Sequence, residues 1–322
     1  VSLPGRLLDG ALDRSVVLGY GNLGLAVRRR LPGWPAEPPR MDGRVVLVTG
    51  AAGGLGAAAA VGFARLGARV HVHGRSPERA SDGARTVADA VPDADIVPEA
   101  CDLADPAAVR RFAAELAGRL PRLDVIVHNA GVMPAQRTHT DGGHELMFAT
   151  HVLALHALAG GLADRLGRTP PGRILTVSSG GMYGQSLPAA DDPESERVDY
   201  RPAAHYARTK RQQVVLTELW AERLSGAGVV VHAMHPGWAD TAGVRDSMPG
   251  FHTVTRPILR TAAEGADTIV WLGAAPAAVA CSGRFWQDRR PRPTRFPFGP
   301  GDGTPANRAA LWAYCERALA DA

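Results

Sequence analysis

From residue 44 onward, short β-branched apolar runs alternate with longer stretches in which apolar residues return at helical spacing. Arg44-Val45-Val46-Leu47-Val48-Thr49 is the first such run. Others are Ala68 to His73, Ala94 to Ala100, Leu123 to Val127, Arg173 to Val177, Val229 to Met234 and a last one near Gly283 to Trp286. Strands apolar at nearly every position are those covered on both faces, as in a parallel sheet. Helices are predicted from the glycine turn at 50–56 to Leu66, and over 77–91, 105–120, 140–166, 203–224, about 261–273 and about 305–320. Asp105 followed by Pro106 supplies an N-cap and a first-turn proline for one of them. Alternation of this kind predicts an α/β architecture, a doubly wound, mostly parallel sheet with helices on both faces, in a single domain. That domain spans 41–290. Residues 1–40 read as an N-terminal extension with a proline-rich linker, and 291–322 as a C-terminal tail with a helix.

Composition narrows the function classes. A chain of 322 residues, 45% apolar and 21% charged, can bury a full core. The net charge of +4 is arginine scattered along the chain, with local runs at Arg28–Arg30 and Arg289–Arg295. A nucleic-acid binder concentrates its positive charge on one face, so no nucleic-acid partner is expected. Cys101, Cys281 and Cys315 are few and far apart, which fits a reducing, cytoplasmic compartment and neither a disulfide framework nor a zinc site. The histidines fall on separate predicted elements without zincin spacing, so no metal is expected. No run of apolar residues reaches membrane-spanning length. Gly19-Tyr20-Gly21-Asn22-Leu23-Gly24 spells G-x-G-x-x-G, but it runs into Arg28–Arg30 and prolines rather than a βαβ unit, so it is read as a decoy. Its glycines are expected to loosen a short apolar segment that packs on the domain or touches a membrane. Residues 1–40 are therefore a candidate for peripheral membrane contact.

The chemistry-bearing residues sit at predicted strand ends. Gly50, Gly54 and Gly56 lie between a strand and an alanine-rich helix, where backbone can approach a pyrophosphate and a helix start can bind it. After the second strand comes Arg75, where a carboxylate would read the ribose hydroxyl of NAD. An arginine accommodates the extra phosphate, so NADP(H) is preferred over NAD(H). Asn129-Ala130-Gly131 and Ser178-Ser179-Gly180 end later strands. Lys210 is the only lysine in the sequence, and Tyr206 precedes it by one helical turn. A cation there would lower the phenol's pKa toward the range of a general acid/base. A surface tyrosine beside a surface lysine is the plain alternative for the pair taken alone.

Together these residues resemble the short-chain dehydrogenase/reductase family over residues 44 to about 290. Within it the chain is most like the member-twelve type of the retinol-dehydrogenase-like branch. That likeness lies in Thr176–Met182, Lys210–Glu218, Met234–Thr241 and Met248–His252. The resemblance implies a Rossmann fold and hydride transfer between NADP(H) and a carbonyl or alcohol substrate. It implies Gly50, Gly54, Leu55 and Gly56 as the cofactor loop, and Asp102 and Leu103 at the adenine. Asn129, Ala130 and Gly131 would line the cofactor. Pro236, Gly237, Trp238 and Thr241 would meet the nicotinamide. Ser179, Tyr206 and Lys210 would be the catalytic set. An apolar or bulky substrate would fit, with Met182, Tyr183 and Trp238 as wall or as core. Homodimers or homotetramers would pack through helices 140–166 and 203–224. His151 stands where the family has its fourth catalytic residue, an asparagine. An imidazole there could keep the proton relay, change its pH dependence or weaken the enzyme. The rival reading is accordingly a non-catalytic NADP(H) sensor. An extended-type enzyme acting on nucleotide sugars is disfavoured by the glycine spacing. The long segment between Ser179 and Tyr206, with its acidic run at Asp191–Glu196, is expected beside the site as part of a lid.

Overall fold

The computed structural model describes residues 3–168, 171–241, 243, 245 and 249–322. Met248, part of the likeness above, lies outside them. Three helices open the chain, α1 Leu3–Arg14, α2 Val16–Tyr20 and α3 Asn22–Arg30. The strands follow as β1 Val45–Val48, β2 Arg69–Gly74, β3 Ile96–Ala100, β4 Val125–His128, β5 Gly172–Val177, β6 Val229–Met234, β7 Arg284–Gln287 and β8 Arg290–Arg292. Between and after them lie α4 Gly54–Arg65, α5 Pro77–Ala90, α6 Pro106–Arg119, α7 Leu146–Gly167, α8 Pro202–Arg223, α9 Pro249–Thr255, α10 Ala262–Ala274 and α11 Pro305–Ala320.

The strands form one sheet in the order β3-β2-β1-β4-β5-β6-β7-β8, parallel throughout except for antiparallel β8. The doubly wound Rossmann architecture is thus present. The order reverses between β1 and β4, the switch point beside which open α/β sheets bind their ligands. Alternation along β1 explains the two cores. Leu47 joins Ile126, Ile174 and Val231 against α6, α7 and α8. Val46 and Val48 join Val125, Val127 and Leu175 against α4 and α10. Each fully buried Val, Leu or Ile contributes about 1.5–3 kcal/mol, so β1 needs no polar face.

Several expectations change. The helix expected over 140–166 starts only at Leu146, because Gly143 takes a positive φ and Glu145 caps the Phe148 N–H. This helix is long and apolar enough to cross a membrane by length and composition, but its apolar face, from Phe148 to Leu162, lies in the core. The tail expected from residue 291 has its first residues in the sheet, since β8 spans Arg290–Arg292. A three-residue edge strand with a central proline leaves no periodicity to read.

Residues 3–40 are docked rather than loosely appended. The glycines at 19 and 24 tighten the segment instead of loosening it. A Cβ on Gly19 would fall 1.9 Å from the Leu12 carbonyl, and one on Gly24 2.4 Å from that of Leu18. The proline-rich stretch is fixed by Trp271 Nε1 donating to Ala36 O at 3.1 Å and by Arg289 pairing with Glu37 at 2.8 Å. The acidic run before Tyr206 is likewise pinned rather than poised as a lid. Glu194 is buried, accepts from the Glu145 N–H at 2.6 Å and pairs with His144, while Tyr314 of α11 donates to it.

Candidate active site

The glycine turn after β1 is built for close approach. Gly50 has φ +63°, and a Cβ there would fall 2.7 Å from Ala130 Cα. A Cβ on Gly56 would fall 2.3 Å from Gly50 O and 2.5 Å from Asn129 Nδ2. Thr49 Oγ1 accepts from the N–H groups of Asn129 and Ala130 at 3.0 and 3.1 Å, and Asn129 Nδ2 donates to Thr49 O. These bonds knit the ends of β1 and β4 across the switch point. His73 sets the turn from the other side. Its Nε2 bonds Cys101 O at 3.0 Å, so its Nδ1 is left to accept from the Gly50 N–H at 3.3 Å. Burial holds it neutral, near 4. Gly53 at the start of α4 brings no side-chain cap, and a Cβ on it would meet nothing within 4 Å. The first-turn N–H groups therefore meet no capping side chain, which suits an anion.

The other expected cofactor contacts lie around this turn. Thr241 touches it, 3.5 Å from the Cβ position of Gly54. Leu55 packs on Gly265, beside Ala239 and Pro236. Arg75 is exposed and makes no salt bridge among the described residues. Leu103 is buried, and Asp102 turns its carboxylate back to the Ala104 N–H at 2.9 Å. His128, which stands before the Asn129 turn, is buried and held neutral near 3.

Tyr206 and Lys210 project from α8 toward the end of β5. Lys210 is 2% exposed; its Nζ donates to Val177 O and Gln213 Oε1, each at 3.0 Å, and lies 5.2 Å from the centre of the Tyr206 ring. Ser178 Oγ donates to Lys210 O at 2.9 Å, fixing the helix against the strand that carries Ser179. Ser179 Oγ accepts from the Gly181 N–H at 3.2 Å, and the Cβ position of Gly181 lies 3.5 Å from both Ser179 Oγ and Ala207 Cβ. The serine loop thus leans on the residue following Tyr206. The expectation of a phenol tuned downward by its lysine is not met by the chain's own groups. Burial pushes Lys210 down to about 7, and burial pushes Tyr206 up to about 12, although part of its surface remains exposed. A half-neutral lysine has little charge with which to oppose that desolvation.

His151 is the residue whose place most needed the structure. It lies in a π turn, Ala149–Leu153, where the Ala154 N–H reaches back to Ala149 O. Its Nε2 accepts from the Val132 N–H at 2.9 Å, so the ring proton is on Nδ1, which donates to Thr209 Oγ1 at 2.7 Å. Thr209 in turn donates to Tyr206 O at 2.9 Å. Both ring nitrogens are satisfied only in the neutral form. Burial, helped by Lys210, holds the imidazole far below its ordinary value. The main-chain carbonyl of His151 accepts from Gln213 Nε2 at 2.9 Å, and Gln213 passes that contact to Lys210 through its Oε1. The Cβ position of Gly131 lies 3.2 Å from His151 Nε2 and 3.8 Å from Lys210 Nζ, and the His151 and Tyr206 rings meet edge-on at 5.5 Å.

A family model described as short chain dehydrogenase matches residues 44–190. Dehydrogenase/reductase SDR family member 12 of Bos taurus is 42% identical, over 84% of this chain and 85% of that protein. The chain belongs to the short-chain dehydrogenase/reductase family. Retinol dehydrogenase 14 of Mus musculus is 34% identical, over 78% of this chain and 80% of that protein. Among solved structures, one from Beutenbergia cavernae with bound NADP superposes with a TM-score of 0.65 at 27% identity, covering 78% of this chain and 97% of that one. Family membership makes the chain a nucleotide-binding oxidoreductase of the dehydrogenase/reductase kind.

Placing the remaining residues changes some roles. Met182 and Tyr183 are buried with Tyr20 and Phe285, so they are core and not substrate wall. Trp238 is half-buried and packs edge-on to Phe251 at 5.1 Å. The histidines stay apart, and among the described residues no cluster suits a metal. Sequence reasoning overlooked His73, Thr209 and Gln213. Gln213 carried a readable signal, since it lies three residues after Lys210 and so on the same helix face.

Proposed function

We propose that this protein is an NADP(H)-dependent oxidoreductase that interconverts a carbonyl and an alcohol, with Ser179, Tyr206 and Lys210 as the reacting set. The observation that carries the reading is the convergence of His151 and Lys210 on Gly131, whose Cβ position lies 3.2 Å from His151 Nε2 and 3.8 Å from Lys210 Nζ, beside Tyr206. A nicotinamide dinucleotide fits the uncapped turn at Gly50, Gly54, Leu55 and Gly56, with Asp102, Leu103, Asn129, Ala130 and Gly131 along its path. Pro236, Gly237, Trp238 and Thr241 would close over the nicotinamide end. Exposed, unpaired Arg75 supports the phosphorylated form of the cofactor. Bound NADP(H) supplies or receives the hydride.

The chain's residues handle the proton. In the reductive direction, Tyr206 gives its phenolic proton to the carbonyl oxygen as that oxygen becomes an alkoxide. An alcohol and a tyrosinate result. Ser179 Oγ donates a hydrogen bond to the same oxygen and fixes its place. Lys210, protonated, balances the tyrosinate charge, and its proton can then restore the phenol. His151 holds the Val132 backbone and the Tyr206 turn without titrating. The Trp238–Phe251 pair and the likeness to a retinol dehydrogenase favour an apolar substrate.

A second reading, a non-catalytic NADP(H) sensor, draws on the pKa values of Tyr206 and Lys210, which burial drives away from the tuning that catalysis needs. Oxidation of NADPH with a panel of aldehydes and ketones separates the two. Turnover that Tyr206→Phe abolishes, with NADPH binding kept, supports the enzyme. Binding without turnover on any carbonyl sinks it. Arg75→Asp should lower affinity for NADPH about tenfold relative to NADH, the worth of one charge-assisted bond. Peripheral membrane contact belongs to the proposal too. Leu7, Val17, Leu18 and Leu23 of α1–α3 are more than half exposed, as is Val254 on α9. Flotation with liposomes tests that. Homodimers or homotetramers would use the part of α7 and α8 that α11 leaves open, such as exposed Gly160 and Gly161.

A further inference from the structure

The G-x-G-x-x-G at residues 19–24 has no nucleotide role, yet its centre reaches the candidate active site. Tyr20 is 2% exposed and stands between the two loops that carry Ser179 and the Pro236–Trp238 segment. Its ring lies against Gly180, the residue after Ser179. A Cβ on Gly180 would fall 2.5 Å from Tyr20 Cε2. The same ring meets His235 edge-on at 4.4 Å and Trp238 at 6.2 Å. Its main-chain carbonyl accepts from the Trp238 N–H at 2.8 Å, and a Cβ on Gly237, which has φ +77°, would fall 2.5 Å from that carbonyl oxygen. Both loops can come this close only because each presents a glycine to Tyr20.

The Gly19–Tyr20–Gly21 turn is itself locked to the sheet through buried charge. Asp288, directly after β7, is 1% exposed and accepts from Arg28 Nη1 at 2.6 Å and from Arg260 Nη1 and Nη2 at 2.6 and 3.0 Å. Those same guanidinium groups hold the turn. Arg28 Nη1 donates to Gly19 O at 2.8 Å; Arg260 Nε donates to Gly21 O at 3.1 Å and its Nη2 to Gly19 O at 3.2 Å. Arg260 Nη1 also donates to Pro236 O at 3.1 Å. A turn outside the main domain is thus bonded to the carbonyl that precedes Gly237. Gln287 Nε2 adds a further bond to Gly19 O at 3.1 Å.

We infer that Tyr20 is a positioning residue of this enzyme, and that residues 19–21 form a strap holding the Ser179 loop and the Pro236–Trp238 loop in fixed relation. Tyr20 touches neither substrate nor cofactor; it acts through Gly180 and Gly237. Ser179 must place one hydrogen bond on the reacting oxygen, and Gly237 borders the hydride donor's seat, so slack between the loops spreads the reacting distance. A misplacement of about 1 Å costs on the order of 10²-fold in rate. The inference rests on the proposed oxidoreductase reading.

The test compares Tyr20→Ala and Tyr20→Phe in the full-length chain, alone and with Ser179→Ala. Phenylalanine keeps the ring that presses on Gly180, so Tyr20→Phe should leave turnover near wild type. Tyr20→Ala should lower kcat roughly 10- to 100-fold, with the Kd for NADPH changed less than about threefold, because the turn at Gly50–Gly56 that would grip the phosphates lies elsewhere. In the Ser179→Ala background the same change should cost less than it does alone, since the part that Tyr20 exerts through Gly180 is already lost. Losses that multiply in the double variant, or a kcat unchanged in Tyr20→Ala, overturn the inference. Hydrogen exchange supplies a readout independent of turnover. In Tyr20→Ala the amides of Met182 and Trp238 should exchange faster while those of β1 and β4 stay protected. Should wild type turn over no carbonyl, the oxidoreductase reading fails, and the exchange result still decides whether the strap exists. Unchanged exchange at Met182 and Trp238 refutes it.

Discussion

Replacing Lys210 with methionine should remove the protein's activity and, with it, the rise of its stability with pH above neutrality. Lys210 is 2% exposed and is held by burial at about 7 instead of 10.5. At neutral pH the unfolded chain keeps this lysine fully protonated, whereas the folded chain holds it half protonated. That difference costs the folded state about 4 kcal/mol. Methionine fills a comparable volume without charge. It also leaves Val177 O and Gln213 Oε1 without the Nζ donor that each now meets at 3.0 Å, at a cost of about 1–3 kcal/mol for each acceptor. The two effects nearly offset, so the variant's stability near pH 7 should lie within about 2 kcal/mol of wild type. The sign of the pH dependence follows from the same values. Between about 7 and 10.5 the unfolded state binds more protons, so wild-type stability should rise with pH by up to about 1.4 kcal/mol per unit. The variant should lack that rise. Urea denaturation without nucleotide, near pH 7 and near pH 9.5, measures both. A Lys210→Met protein that loses more than about 2 kcal/mol near pH 7, or one that keeps the wild-type slope, refutes the burial argument.

Other outcomes follow from the bonds described. His151→Asn should leave the pH profile of kcat/KM unmoved around neutrality, because burial and Lys210 hold His151 well below its ordinary value. If His151 were itself the acid or base, the loss would be about 10²–10⁴-fold and the profile would lose a limb. Asp288→Ala leaves buried Arg260 without a carboxylate, while Arg28 keeps Asp9, and should cost about 3–5 kcal/mol in urea denaturation at neutral pH. Burial alone would raise the Asp288 carboxyl, but Arg260 and Arg28 hold it below its ordinary value. Its contribution is therefore present above about pH 4 and fades as acid protonates the group, so variant and wild type should converge there. Removing α11 uncovers Phe148, His156 and Trp220, which Tyr314, Glu316 and Trp312 now cover. Light scattering of that truncation should show association beyond that of the chain with α11 in place.

What the sequence disclosed depended on whether a residue's meaning was local. Val45–Val48 could be read because four consecutive buried positions demand cover on both faces. The glycine turn was legible because the steric need lies in the turn itself, at Gly50 and Gly56. Tyr206 and Lys210 were legible because one helical turn sets their spacing. The tuning between them was not, because burial is a property of everything packed around α8. His151 showed the same limit. Its place in the chain announced a substitution, but its protonation was settled by the Val132 N–H and the Thr209 hydroxyl, both distant in sequence. The segment at residues 19–24 misled in an instructive way. Glycines at that spacing signal close backbone approach. Whether they approach a phosphate or another loop depends on Asp288, 260 positions from Arg28.

A sequence with one ε-amino group, and that one sealed beneath Tyr206, has an unusual surface chemistry. Acylating reagents, amine crosslinkers and lysine-modifying enzymes find no side-chain target on its outside. Every exposed positively charged side chain is a guanidinium or an imidazole, on which amine-directed reagents leave no stable label. A small amine-directed probe can therefore mark this protein's side chains at a single address, and only by entering the crevice. The extent of labelling at Lys210, read by mass after cleavage so that the α-amino terminus is counted apart, would report how open that crevice is and what fills it, with no engineered tag.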